Sequence, residues 1–144
     1  MLSQKARYAL HAVIVLAGYG GEKPLQIAEI AEEARVPRKF LEQILLELKK
    51  RGIVRSLRGR AGGYLIGKAP KDVSFADVIR VIDGPLALAP CVSMTAYHKC
   101  EDCVDEATCA IRKVLLAARD ATAEVLESRN LAQAVAVARK AGWA

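Results

Sequence analysis

The chain has 144 residues, the size of one ordinary domain, and 53% of them are apolar, enough for a packed core and too many for a disordered chain. No apolar run reaches the ~18 to 20 residues of a membrane span, and the N-terminus, with Lys5 and Arg7 ahead of the apolar stretch 9–18, shows no small-residue cleavage site. These features predict a soluble, cytoplasmic protein without a membrane role, and the net charge of +6 points to an anionic partner.

The first predicted element is a helix over 3–18, with Ser3 as N-cap and Tyr8, Leu10, Ala12, Val13, Leu16 and Ala17 on a broad apolar face. Gly18, Gly20 and Gly21 end it. Over 25–34, Ile27, Ile30, Ala31 and Ala34 recur at helical spacing, opposite Glu29, Glu32 and Glu33. Arg35, Val36 and Pro37 break that helix, and Pro37 suits the first turn of the next one, where its missing N–H costs little. This third helix runs over 37–50 and is expected to bury Phe40, Leu41, Ile44, Leu45 and Leu48. Two helices joined by a three-residue turn have the proportions of a helix-turn-helix, and equally of a small bundle.

The segment after the third helix favours the helix-turn-helix. Ile53, Val54 and Leu57 compose one strand and Tyr64, Leu65 and Ile66 another, with Arg58-Gly59-Arg60-Ala61-Gly62-Gly63 between them. The reading is a basic hairpin, which makes the arrangement a winged helix-turn-helix. Residues 1–70 carry 13 basic and 6 acidic side chains, whereas residues 71–144 carry 9 and 10, so the positive excess belongs to the first half. Lys49, Lys50, Arg51, Arg55, Arg58 and Arg60 succeed one another without an acid, either a local positive field or an ordinary solvated stretch.

Ser74 and Asp77 form a capping-box pattern ahead of a helix with Phe75, Val78, Ile79 and Ile82 as its buried stripe, closed by Gly84 and Pro85. Residues 86–106 lack periodicity, and a loop of that length calls for a functional reason. From about Asp105, read as its cap, a long helix is predicted to about Ser128, with Ile111, Val114, Leu115, Ala118, Thr122, Val125 and Leu126 along one side. Either a second copy covers that stripe, which would bring two hairpins to one duplex, or it packs on the first helix. Residues 131–140 read as a short helix or frayed tail, with Trp143 near the end and no clear functional signal.

Cys91, Cys100, Cys103 and Cys109 all fall within 19 residues, spaced C-x8-C-x2-C-x5-C, with no cysteine elsewhere. In a reducing compartment such a group favours metal or redox chemistry over structural disulfides. Four thiolates suffice for a two-iron or a four-iron cluster. Zinc sites of four cysteines usually combine two C-x2-C pairs, and only Cys100 and Cys103 make one. Thiol–disulfide switching is the other alternative. An electron-transfer protein or redox enzyme explains the cysteines and leaves the helix-turn-helix without a role. No paired carboxylates, activated nucleophile or phosphate loop appears, so no catalytic residues and no small-molecule substrate are expected.

The segments Arg7-Tyr8-Ala9-Leu10, Phe40-Leu41-Glu42-Gln43-Ile44-Leu45, Arg58-Gly59 with Gly62-Gly63-Tyr64-Leu65, and the cysteine loop ending at Cys109 resemble the IscR/NsrR family of bacterial winged-helix transcription regulators. The resemblance covers about residues 1–127. It implies a mainly α fold with a small β-hairpin wing and a long C-terminal dimerisation helix. The chain then divides into a DNA-binding domain over 1–70, a connecting helix and cluster-binding loop over 71–110, and a dimerisation helix with its tail over 105–144. The implied protein is a homodimeric regulator, most often a repressor, that binds double-stranded operator DNA. Its affinity is set by one iron-sulfur cluster per subunit, which senses iron-sulfur, redox or nitric oxide status.

Carried onto this chain, the resemblance assigns Arg38, Lys39 and Gln43 to the major groove and Arg58 and Arg60 to phosphates or the minor groove. The chemistry agrees, since arginine suits the narrow minor groove and glutamine pairs with adenine. Lys49, Lys50 and Arg55 need only contact phosphates. Glu42 among them excludes a base, orients an arginine, or is simply a capped or solvated carboxylate. Family members typically use three cysteines and another residue, sometimes from the partner's first helix. Cys91, Cys103 and Cys109 match that pattern and Cys100 is an addition: the fourth ligand, a replacement for Cys103, or a free thiol. His11 on the first helix is an additional or alternative ligand, and His98, inside the loop, is a similar candidate. A related branch of the family responds to cysteine supply without a cluster, which four clustered cysteines argue against.

Overall fold

The structure is a computed structural model that describes residues 2–142. Six helices and one antiparallel hairpin succeed one another in the order α1 (Gln4–Gly18), α2 (Ile27–Ala34), α3 (Arg38–Lys50), β1 (Val54–Leu57), β2 (Gly63–Ile66), α4 (Phe75–Asp83), α5 (Ala110–Ser128) and α6 (Leu131–Ala141). Two short 3-10 turns, 70–72 and 90–92, interrupt the connections. The mainly α fold with a hairpin wing is the architecture read from the sequence.

α1 runs through the centre. Ser3 caps it, accepting from Ala6 N–H at 2.9 Å, and its own N–H donates to Asp83 at the end of α4, also at 2.9 Å. Ala6, Ala9, Ala12 and Val13 are fully enclosed, because α2, α3, α4, α6 and β2 all pack on this helix. Small residues on its surface let those neighbours approach closely.

α2 begins at Ile27, two residues later than the periodicity suggests. Leu25 is extended instead and exchanges two backbone hydrogen bonds with Tyr64, at 2.9 and 2.8 Å, which adds a bridge to the hairpin's inner edge. Gln26 then donates from Nε2 to the Gly62 carbonyl at 2.8 Å, so the wing is fastened to the α1–α2 turn. Gly63 allows this approach: a Cβ there would lie 2.5 Å from the Leu25 carbonyl oxygen, and φ is +142°.

Pro37 stands just outside α3 as its N-cap, not inside the first turn. Leu41, Ile44, Leu45 and Leu48 are buried as expected, but Phe40 is 38% exposed. It falls at the margin of the buried stripe, where its ring meets that of Tyr8, with centroids 5.3 Å apart. Ser74 and Asp77 form the capping box of α4, the two bonds being 3.0 and 2.9 Å.

The start and the seat of the long helix are corrected. Cys109, not Asp105, caps α5, which starts at Ala110; Asp105 accepts from Ala107 N–H and the Thr108 hydroxyl in the preceding turn. Nor does the long helix settle on α1, whose surface is already taken. α5 lies against α4 and the 90–92 turn, buries none of its residues, and leaves Ile111 and Val114 about 70% exposed.

Of the two readings of the last segment, the helix is the one that forms. Residues 131–141 form a core helix, with Leu131 and Ala138 fully enclosed and Val135 buried against α1. Backbone bonds from Phe75 N–H to the Arg129 carbonyl (3.0 Å) and from Leu131 N–H to the Val73 carbonyl (2.9 Å) set its start, and Arg139 reaches the Gly18 carbonyl at 2.9 Å. Trp143 lies outside the described residues. Leu131→Ala should therefore cost about 2–5 kcal/mol in urea unfolding, whereas the exposed Val137→Ala should stay within about 0.5 kcal/mol. Equal effects would remove α6 from the core.

Candidate functional site

Two regions carry the chemistry. The first is the exposed face made by α3 and the wing. Arg35 closes α2 in the left-handed conformation, φ 54°, which turns the chain sharply into α3 and presents Arg38 and Lys39 in its first turn. Both are exposed, as are Glu42 and Gln43 one turn later, Lys49 and Lys50 at the helix end, Arg55 on β1, and Arg58 and Arg60 at the hairpin tip. Lys39 Nζ lies 5.1 Å from the Phe40 ring centre, a cation–π distance that gives the half-exposed ring a second contact.

Sequence reasoning missed Glu47 and Lys5. Gln43 Nε2 donates to Glu47 Oε1 at 2.9 Å, and Lys5 Nζ of α1 donates to the same oxygen at 2.6 Å. The signal was the i, i+4 spacing of Gln43 and Glu47 on one helix face. Burial works to raise the Glu47 carboxyl, but the bonds from Gln43 and Lys5 and the cations Lys5 and Lys50 outweigh it, so the group is held below the ordinary glutamate value. One N–H of the Gln43 amide is thereby engaged.

The second region is the cysteine loop. All four thiols are free. Cys91 sits buried in the 90–92 turn, while Cys100, Cys103 and Cys109 are half-buried. His98 N–H donates to the Pro90 carbonyl at 3.1 Å and closes the loop, and Cys103 N–H donates to the Cys100 carbonyl at 3.1 Å. Burial pushes the Cys91 thiol up, its hydrogen bond with Cys100 adds to this, and the Arg112 cation works the other way. Burial also raises Cys103, with Lys99 opposing and Glu106 reinforcing.

From α5, Arg112 Nη2 donates to the Cys91 carbonyl at 3.3 Å and Arg119 Nη1 to the Val92 carbonyl at 2.8 Å. The thiols thus hang between one tight turn and the first turn of one helix. Among the described residues, no three His, Cys, Asp or Glu side chains stand close enough together to hold a metal ion. The site brings Cys91 and Cys100 into contact and keeps Cys103 and Cys109 nearby on the same loop. His11 is exposed on α1, in a cleft of about 360 Å³ shared with Arg7, Tyr8, Glu33 and Arg35, and His98 is exposed on the loop.

The donor chemistry nevertheless suits a thiolate-bound metal group. Four soft sulfur donors share one loop, and the buried Nε of Arg112 beside them has no hydrogen-bond acceptor. A cation with a spare donor is what anionic sulfur at this place would satisfy.

Comparison with known proteins bears on both regions at once. The family model described as Rrf2, iron-dependent transcriptional regulator, matches residues 2–137. The chain belongs to the Rrf2 family. An rrf2-like HTH-type transcriptional regulator of Rhodobacter capsulatus is 51% identical over 117 residues, covering 79% of this chain and 78% of that one. Among solved structures, CymR (YrzC), the global cysteine regulator of B. subtilis, superposes with a TM-score of 0.77 at 33% identity, covering 95% of this chain and 97% of the other. T. potens IscR does so with a TM-score of 0.77 at 29% identity, covering 98% and 90%. This Rrf2 protein is accordingly a DNA-binding transcriptional regulator and not an enzyme. The relatives' names divide between IscR and a cysteine regulator, so the role of the cysteine loop rests on this chain's own residues.

The Glu47 contacts set a pH dependence. A carboxyl whose folded value lies below its unfolded one, about 4.3 for glutamate, contributes stability above the unfolded value and loses it as pH falls through the folded value. Glu47→Gln should therefore be less stable than the wild type at neutral pH, with the gap closing below about pH 4. Urea unfolding at a series of pH values measures this, and a gap independent of pH would refute the assignment.

Proposed function

We propose that this Rrf2 regulator binds operator DNA as a homodimer, as a repressor, and that an iron-sulfur cluster, one per subunit, held by the cysteine loop controls its affinity. The observation that carries the reading is the attachment of the loop of four free thiols to α5 at both its ends: Cys109 caps the helix, and Arg112 and Arg119 hold the turn bearing Cys91. Cys91, Cys103 and Cys109 are the assigned ligands, with Cys100 in contact with Cys91 as the fourth and His11 as the alternative. Either a two-iron or a four-iron cluster fits a four-ligand set. When bound, the group supplies bonds that oxidants or nitric oxide can break. A reducing cytoplasm suits the free thiols.

The residues then divide the work. The apolar edge of α5, bare in the single chain, is assigned to the same helix of a second copy. In each copy Arg38, Lys39 and Gln43 face the major groove, with Gln43 oriented by Glu47 to accept from a base amino group. Arg58 and Arg60 extend the contact to phosphates or the minor groove, and Lys49, Lys50 and Arg55 to phosphates alone. Movement of the 90–92 turn pulls on Arg112 and Arg119 and so on α5, which sets the spacing of the two recognition helices and their match to the half-sites. Segment by segment, 1–70 holds DNA, 71–110 holds the cluster, and 105–144 joins the copies.

One observation favours a second reading. Cys91 and Cys100 are already hydrogen-bonded to each other, the arrangement a thiol–disulfide switch would use.

Protein purified without oxygen should contain iron and acid-labile sulfide and absorb visible light. Metal-free protein that cycles instead between four thiols and a Cys91–Cys100 disulfide would support the second reading. In a gel-shift series, replacing Arg58 and Arg60 with alanine should weaken duplex binding and reduce the slope of log K against log salt by about 2, one for each lost phosphate contact. An unchanged slope would place the wing off the DNA.

A further inference from the structure

Two arginines of α5, Arg112 and Arg119, stand seven residues apart on the face that meets the 90–92 turn, and each donates to one of its carbonyls. Their remaining hydrogen bonds differ. Arg119 is complete, because its Nε and Nη2 donate to Asp120 at 2.9 and 2.7 Å. Arg112 is not. Its Nε is buried without an acceptor, and the nearest carboxylate oxygen, Glu106 Oε2, stands 3.8 Å away, an ion-pair distance too long for a hydrogen bond. Glu106 is engaged elsewhere, its Oε1 accepting from the Tyr97 hydroxyl.

That free donor belongs to a cation tied to two of the cysteines and near enough to Cys91 to favour its thiolate. Arg112's backbone N–H donates to Cys109 Sγ at 3.4 Å, and its side chain bonds the Cys91 carbonyl. Holding the turn requires only the Nη2 bond, and Arg119 shows how an arginine doing that alone is satisfied. We propose that Arg112 is the charge-compensating positioning residue of the cysteine site, its Nε–H reserved for anionic sulfur between Cys91 and Cys109. The inference rests on the cluster reading of the proposed function. Hydrogen bonds to the sulfurs and nearby charge are among the factors that set a cluster's potential, and a cation favours the reduced, more negative form.

The test uses full-length protein loaded with iron and sulfide under anaerobic conditions, as wild type, Arg112→Gln, Arg112→Lys and Arg119→Gln. Three quantities are measured: the midpoint potential, the rate of iron release to a chelator, and hydrogen exchange over residues 89–98 in the metal-free proteins. Arg112→Gln should shift the potential to more negative values and speed iron release several-fold. Arg112→Lys, which keeps the charge and loses the fixed donor, should fall between it and the wild type. Arg119→Gln should loosen the 90–92 turn in the metal-free protein as Arg112→Gln does, yet leave the potential at the wild-type value.

Equal potentials for wild type and Arg112→Gln, or equal shifts from the two glutamine variants, would reduce Arg112 to a structural clamp and overturn the inference while the cluster reading stands. If Arg112→Gln does not load, a wild-type potential in Arg112→Lys overturns it in the same way. A wild-type protein without iron or sulfide overturns the cluster reading and this inference together.

Discussion

The enclosure of α1 is the constraint on which the rest of the structure depends. Its alanines at 6, 9 and 12 have no exposed surface, and the helix is bounded by α2 and α3 of the DNA-binding unit, by the wing through β2, and by α4 and α6 from the C-terminal half. In a close-packed interior, none of these neighbours can shift without disturbing the others. Polar ties mark both ends: Ser3 with Asp83 at the start, Gly18 with Arg139 at the finish. α3 and α4, the helix that leads into the cysteine arm, therefore share one support.

The cysteine arm is built on different terms. Residues 86–109 contribute little to the core: only Cys91, Val92 and Ser93 are buried, while Leu88, Met94, Tyr97 and Val104 are well exposed. Side-chain bonds onto backbone carbonyls and short turns hold the segment in place of apolar packing. Such a segment opens at low free-energy cost. Its attachment to the long helix runs through Arg112 and Arg119.

The basic face shows how a packed scaffold refines a charged surface. Lys5 from the first helix and Gln43 from the third meet at one Glu47 oxygen. That contact links the Gln43 side chain on the exposed face of α3 to the position of α1, the helix that also bears His11. Charge alone would have left Gln43 free to present either end of its amide.

Much of this was legible in the residues themselves. The helical stripes of α1 to α4, the Ser74–Asp77 box, the glycine-rich basic hairpin and the four grouped cysteines are local patterns, set by side-chain periodicity, capping chemistry and turn geometry within a few residues. Those patterns sufficed for the fold class and for the division of charge between the halves. What they could not contain are the relations between distant segments. Leu25 reads as the start of a helix and becomes a strand partner of Tyr64; residues 131–140 read as a short helix or a frayed tail and become a wall of the core; Phe40 reads as buried and lies at the margin. Each was decided by which surface α1 had left to cover. The Glu47 junction and the incomplete hydrogen bonding of Arg112 likewise exist only once helices far apart in the chain are packed together. Local periodicity determined which elements form, and competition for the buried faces of α1 decided where they go and which polar groups they leave for function.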